Sequence, residues 1–254
     1  MIWIASIQCF FGLLSVFVFR DKTFTDFIYP SLLCLILAFF LFIRTNRGEQ
    51  KKIFFREALA FASFTWILMG VLGALPIMSV TGVSFTDAVF ESVSAMTTTG
   101  ATILTGLDEM PKSFLLYRQF LQWMGGLGIV IFVVAILPML NVGGMRLLKA
   151  ETPGPIKNEK LAPRVASTSR YLWLVYLCLT IGCAGSYWLA GMSPFDAIAH
   201  SLTTVSTGGF SPYDASMGHF QQPIILMVAD VFMILGAISF ALHHKLFTTR
   251  AISG

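Results

Sequence analysis

The sequence predicts an all-α polytopic membrane protein: an N-terminal helical hairpin followed by two tandem helix–pore loop–helix repeats, with about six transmembrane helices and two re-entrant half-helices. Three observations predict it. Of the 254 residues, 56% are hydrophobic and only 12% are charged, and the mean hydropathy is +0.77, far outside the soluble range. Apolar runs matched to a hydrocarbon core of about 30 Å recur along the chain. The stretch from Phe85 to Ile103, FTDAVFESVSAMTTTGATI, occurs twice, the second copy being offset by 109 residues.

Taken in order, the spans run from Ile2 to Phe19, Phe27 to Ile43, Ile53 to Met78, Phe114 to Leu140, Tyr171 to Met192 and Pro223 to Phe247. The first reads as a retained helix: no basic segment precedes it, no small-x-small cleavage site closes it, and Arg20 follows it. Residues 1–50 form a hairpin without a pore loop, its strands of helix joined by the short polar segment Asp21 to Asp26. Residues 51–145 are the first repeat. Its outer helix is expected to break near Pro76, the half-helix to start at Ser84, and Asp108, Glu109 and Pro111 to turn the chain into the next span. That span carries Gly125-Gly126-Leu127-Gly128, where small residues favour close helix packing, or make a hinge or leave room beside a conduction path. Gln122 and Trp123 are placed at its outer, interfacial end. Residues 146–167 are a cytoplasmic linker whose basic excess suits topology and lipid headgroups, or a docking partner. Residues 168–254 are the second repeat, with Ser193-Pro194 opening its half-helix.

The distribution of basic residues orients the chain. With a cytoplasmic N-terminus, 13 of the 17 Lys and Arg residues fall on inside segments and four outside, so both termini are cytoplasmic and both half-helices enter from the outer face. The net charge of +4 forms no clustered basic face with interleaved aromatics, which sets nucleic-acid binding aside. Cys9, Cys34, Cys178 and Cys183 all lie within predicted spans and lack metal-ligand spacing, so they read as small buried apolar residues.

The repeated stretch carries the chemistry. From Ser84 to Met96 a helix rises about 20 Å, too little to cross the bilayer core, so the chain must go in part way and return. Irregular backbone at that depth needs protein or water around it. The C-terminal end of the helix dipole is negative, and a Thr/Gly loop beyond it can present successive carbonyl oxygens; both features favour a cation. Thr98, Thr99 and Gly100 are the candidate ligands in the first loop, and Thr207, Gly208 and Gly209 in the second. Asp87 and Asp196 fall in the first turn of each half-helix, suited to capping its amides or to attracting cations. Asp230 lies within the last span, in contact with a neighbour or facing an aqueous vestibule. An enzyme is a poor fit: Asp196 and His200 are spaced i, i+4, compatible with a metal site or a proton relay, and Glu91 matches His200 in the repeat, yet no second His or Cys stands at ligand spacing nearby, and there is no G-x-S-x-G or H-E-x-x-H.

Two tandem units with loops TTTGAT and STGGFS resemble the first two of the four repeats of the Trk/Ktr/HKT superfamily of potassium transporters. The extra hairpin and the run LGAISFALHHKLF (235–247) make the chain most similar to the TrkH branch. The resemblance implies potassium uptake through a filter built of one loop from each repeat, with K+ as the transported ion held by the six residues named above and glycine at position 100 as the potassium-permissive choice. It also implies a multi-pass protein of the cell inner membrane, a dimer, and a cytoplasmic nucleotide-binding regulatory subunit of the TrkA kind. A four-loop ring needs two loops beyond those present here, so the expectation is a piece of a longer transporter or a half-sized subunit. As a conducting subunit it would be completed by a complementary second half or a second copy; the rival reading is a fragment that does not conduct by itself.

Overall fold

The computed structural model describes residues 1–44, 55–140 and 161–238. Among them every regular element is helical. In chain order these are α1 (Ile2–Leu14, running on as a π turn over Ser15–Phe19), α2 (Phe24–Arg44), α3 (Phe55–Thr81), α4 (Phe85–Met96), α5 (Lys112–Leu140), α6 (Leu161–Leu189), α7 (Pro194–Val205) and α8 (Pro223–Ala237), with 3-10 turns at Leu107–Glu109 and Ser216–His219. Among the described residues, four stretches, Ile2–Phe19, Phe24–Arg44, Leu59–Thr81 and Leu172–Leu189, are long and apolar enough to cross a membrane. In contrast, α4 and α7 have 12 residues each, about 18 Å at helical rise, and fall short of a bilayer core. The links at 45–54 and 141–160, and the last span beyond Ile238 with His243-His244, lie outside the described residues. The helix α6 begins at Leu161, within the segment assigned to the linker, and Pro163 sits in its first turn, where a missing amide proton costs nothing.

The expected break at Pro76 does not occur: α3 continues through it to Thr81. A proline inside a helix removes one donor and crowds the carbonyl four residues back, here that of Leu72. That oxygen accepts instead from Gln8 Nε2 at 2.9 Å, and its neighbour Gly73 O accepts from the Tyr117 hydroxyl at 3.0 Å. Gln8 and Tyr117 are both fully buried. Side chains from α1 and α5 therefore complete the helix that the proline would otherwise interrupt. Gln8→Leu should strand the Leu72 carbonyl in an apolar core and destabilise the chain by about 1–3 kcal/mol, read as a lowered thermal midpoint of the detergent-solubilised protein; an unchanged midpoint would mean that α3 needs no such support.

The hairpin is bound into the rest. Ser31 Oγ donates to Ala5 O at 2.8 Å, and Phe11 and Phe27 meet Tyr117 edge-on at centroid distances of 5.4 and 5.2 Å, a geometry that adds to their burial. At the end where α5 starts, Asp21 Oδ2 accepts from Ser113 N at 3.1 Å, placing a carboxylate at a helix N-terminus. Of the cysteines, Cys34 and Cys183 are buried, Cys9 is half-buried and Cys178 is exposed; all are free. The burial of Cys178 expected from its span does not hold because its side of α6 faces away from the bundle.

The helix α5 lies between the two half-helices. Its glycines make that possible: a Cβ on Gly125 would overlap the carbonyl oxygen of Met96, the last residue of α4, and one on Gly126 would come within 2.9 Å of Ser206 Cβ at the end of α7. The close-packing reading of the glycine run therefore holds at Gly125 and Gly126, which lie against the ends of the two half-helices.

Candidate functional site

The two half-helices are built alike, residue for residue at the offset of 109. Each begins at a serine whose hydroxyl accepts from the amide three residues on, Ser84 from Asp87 N and Ser193 from Asp196 N, both at 3.2 Å. Each serine hydroxyl donates back to the same aspartate's carboxylate, at 2.8 and 2.7 Å. Asp87 and Asp196 therefore anchor the helix starts. Asp196 Oδ1 also accepts from the Tyr213 hydroxyl at 2.9 Å. Burial, and then that hydrogen bond and charge, push the Tyr213 phenol up to about 12, so it stays a donor at neutral pH.

The C-terminal ends are equally matched. Thr98 N donates to Ala95 O and Thr99 N to Ser94 O; in the second unit Thr207 N donates to Thr204 O and Gly208 N to Thr203 O, all at 2.9 to 3.0 Å. This pair of reversed bonds closes a helix through a left-handed residue, usually glycine. Here threonine takes that place, with φ of 54° at both Thr98 and Thr207, and Gly100 and Gly209 follow at 75° and 83°. Left-handed backbone is costly for a β-branched residue, and strain repeated at equivalent positions marks a demand of the site. Its effect is to turn the chain so that the carbonyls beyond each helix end stay out of the helical ladder. Among the described residues, no hydrogen bond is accepted by the carbonyls of Thr98, Thr99, Gly100, Thr207, Gly208 or Gly209.

The structure brings the two loops together. A Cβ on Gly100 would overlap the carbonyl oxygen of Gly208, so the loops touch backbone to backbone at that point. Thr99 Oγ1 shares a hydrogen bond of 2.7 Å with Thr97 Oγ1, and Thr207 Oγ1 donates to Ser206 O at 2.8 Å. Thr97, Thr99, Thr207 and Gly209 are exposed, Thr98 and Gly100 half-buried, and Gly208 buried. At the end of α7, Gly236 of α8 lies against Val205 O as Gly125 lies against Met96 O.

Behind each loop a strut ties the half-helix to the returning chain. In the first unit Glu91, fully buried, accepts from Thr102 Oγ1 at 2.9 Å and from Ile103 N at 3.2 Å, and is ion-paired with the equally buried Arg118. In the second, His200 stands at the Glu91 position and Ser211 at the Thr102 position. His200 Nδ1 donates to Asp196 O at 2.9 Å and Nε2 pairs with Ser211 Oγ at 3.1 Å. Thr102 Oγ1 and Ser211 Oγ each then accept from the amide two residues on. The i, i+4 spacing of Asp196 and His200 is thereby explained as a brace.

Some residues escape a sequence reading. Gln122 and Trp123, expected at an interface, are buried: Gln122 Oε1 accepts from Phe210 N at 3.0 Å, and Trp123 Nε1 donates to Thr180 Oγ1 at 3.0 Å. Their helix is enclosed by both units, a fact that hydropathy does not carry. Arg118, one of the four basic residues that the charge distribution assigns to the outside, is fully buried, with its guanidinium 4.4 Å from the Phe210 ring centre. Asp214 clips the units together, its carboxylate accepting from Gly106 N and Leu107 N at 2.7 and 3.0 Å, while Asp214 N donates to Asp108. Asp230 is exposed on α8.

Comparison with known proteins gives one consistent result. Residues 28–253 match the profile of TrkH, described as a cation transport protein. The chain is 45% identical over 244 residues to the Trk system potassium uptake protein TrkH of Vibrio parahaemolyticus, covering 94% of this chain and 50% of that protein. It is 46% identical over 209 residues to TrkH of Escherichia coli K12, covering 82% and 43%, and 36% identical over 255 residues to TrkG of the same organism, covering 99% and 52%. The crystal structure of the potassium transporter TrkH from Vibrio parahaemolyticus superposes with a TM-score of 0.83 at 40% identity, covering 98% of this chain and 50% of that one. The chain spans about half the length of these relatives.

Proposed function

Because the chain belongs to the TrkH family of cation transport proteins, we propose that it forms part of the ion path of a potassium uptake system. The observation that carries this reading is the contact of two strained loops whose carbonyl oxygens accept no hydrogen bond among the described residues. Backbone oxygens held open in this way replace the hydration shell of a cation. In this reading K+ is bound by the carbonyls of Thr98, Thr99, Gly100, Thr207, Gly208 and Gly209, at the negative ends of α4 and α7. The hairpin, 1–50, stands beside two repeat units, 51–145 and 168–254, joined by the linker at 146–167. The chain sits in the cell inner membrane with both termini cytoplasmic, as the excess of Lys and Arg on those segments favours. It conducts and carries out no chemical conversion.

Two loops supply half a ring, and the exposed faces of Thr97, Thr99, Thr207 and Gly209 are where the remaining oxygens approach. They come from a complementary second half or from a second copy of this chain, and a cytoplasmic nucleotide-binding subunit of the TrkA kind regulates the assembly. The test is potassium uptake in a host lacking its own uptake systems, with the chain expressed alone and together with the second half of a TrkH-type protein. Uptake is expected in at least one arrangement. Absence of uptake in both, with the chain present in the membrane, would overturn the assignment.

A further inference from the structure

We infer that Gln122 is a positioning residue for cation discrimination: a side chain of the first unit that fixes the second unit's loop from behind. The inference rests on the proposed function. Gln122 is fully buried on α5. Its Oε1 accepts from Phe210 N at 3.0 Å, its amide group fills the space a side chain at position 208 would need, and its Nε2 lies 3.7 Å from where a Cβ on Gly100 would stand. One amide thus reaches both loops at the point where they touch. Nε2 has no hydrogen-bond partner among the described residues, so its buried donors face the contact between Gly100 and Gly208. One turn earlier on α5, Arg118 covers the ring of the same Phe210. The residue after the second loop's last glycine is gripped by its amide and by its ring, both times from the other unit.

This explains why the two loops differ. Position 99 is threonine and position 208, its equivalent, is glycine, because Gln122 occupies the volume of the missing side chain. The first loop is stiffened by its own Thr97–Thr99 hydrogen bond; the second has no such pair and takes its stiffness from Gln122. A loop held at fixed spacing cannot draw its oxygens inward around a smaller ion, whereas a loosened loop can. Loss of Gln122 should therefore reduce preference for K+ over Na+ more than it reduces the amount of folded protein.

The experiment compares wild type, Gln122→Met and Gln122→Glu in whichever arrangement restores uptake, measuring K+ and Na+ uptake separately and normalising to protein in the membrane. Methionine keeps the length and bulk and loses the hydrogen bond; the K+/Na+ ratio should fall about tenfold, the factor associated with one lost buried hydrogen bond. Glutamate keeps the acceptor for Phe210 N and should fall less. A ratio within about twofold of wild type for Gln122→Met, including the case where both ions slow in proportion, would overturn the inference by reducing the residue to a purely structural part. Should Gln122→Met fail to accumulate, Gln122→Leu, which likewise removes the acceptor for Phe210 N, decides by the same ratio, an unchanged value overturning the inference. If wild type takes up no ion in any arrangement, the proposed function fails instead, and hydrogen exchange of the purified full chain decides the inference. Faster exchange at Phe210 in Gln122→Met with unchanged exchange at Thr98 and Thr99 supports the clamp, and equal exchange at Phe210 overturns it.

Discussion

Gly100→Ala is expected to abolish potassium uptake, and Gly100→Val to do so without residual activity. Two costs combine at this position. The backbone is left-handed, with φ of 75°, which by itself costs a non-glycine residue about 1–2 kcal/mol. The added Cβ would also overlap the carbonyl oxygen of Gly208, which neither a rotamer change nor a flexible side chain can relieve. The loops must separate, and the oxygens of one no longer stand opposite those of the other. Together these costs exceed about 3 kcal/mol, or more than a hundredfold in occupancy of the working geometry. A control isolates the second cost. Gly82 has the same kind of backbone, φ of 68°, with nothing within 4 Å of its added Cβ. Gly82→Ala should lower stability by about the strain alone and leave uptake close to wild type. Equal losses of uptake in Gly82→Ala and Gly100→Ala, at matched protein levels, would show that strain and not loop contact governs the site.

The second large effect is expected at the buried ion pair. Arg118→Ala or Glu91→Ala leaves one charge desolvated without its partner, which costs about 3–5 kcal/mol, a large share of a domain's stability. Arg118 Nε donates to Glu91 Oε1 at 2.9 Å and Nη2 to Thr102 Oγ1 at 3.1 Å, so the pair also holds the chain that leaves the first loop. The expected result is a strong loss of folded protein and a lowered thermal midpoint in either single variant. A double replacement by apolar residues of similar volume should recover most of the midpoint while losing the hold on Thr102 and Phe210, so that stability returns and uptake does not. In the second unit the equivalent strut is made by hydrogen bonds to a carbonyl and a hydroxyl, and His200→Leu should cost only about 1–3 kcal/mol. If Arg118→Ala is no more destabilising than His200→Leu, the pair is not the main brace.

The contrast between those two struts also shows what a sequence discloses and what it withholds. The half-helices were legible because their capping chemistry is local: Ser84 and Ser193, each three residues before an aspartate, announce a helix start, and a Thr/Gly run announces its end. Their repetition at a fixed offset made the loops legible as a pair, and the structure places Gly100 against the second loop. Pro76 misled, because the donors that rescue the Leu72 and Gly73 carbonyls come from Gln8 and Tyr117, 64 and 44 residues away. Gln122 and Arg118 misled for the same reason. Their roles depend on α5 lying between two units, and no periodicity within α5 reports what surrounds it. The match of Glu91 with His200 is visible in the repeat, but that both serve the residue eleven positions on, Thr102 and Ser211, is set by how the chain folds back after each loop, which no local pattern announces.

The most direct measurement is the anomalous scattering of rubidium or thallium, as a stand-in for potassium, in crystals of the chain assembled with whatever completes its ring. A single strong peak is predicted in direct coordination distance of carbonyl oxygens from both 98–100 and 207–209. Ions found only elsewhere, or bound to one of these loops without the other, would contradict it.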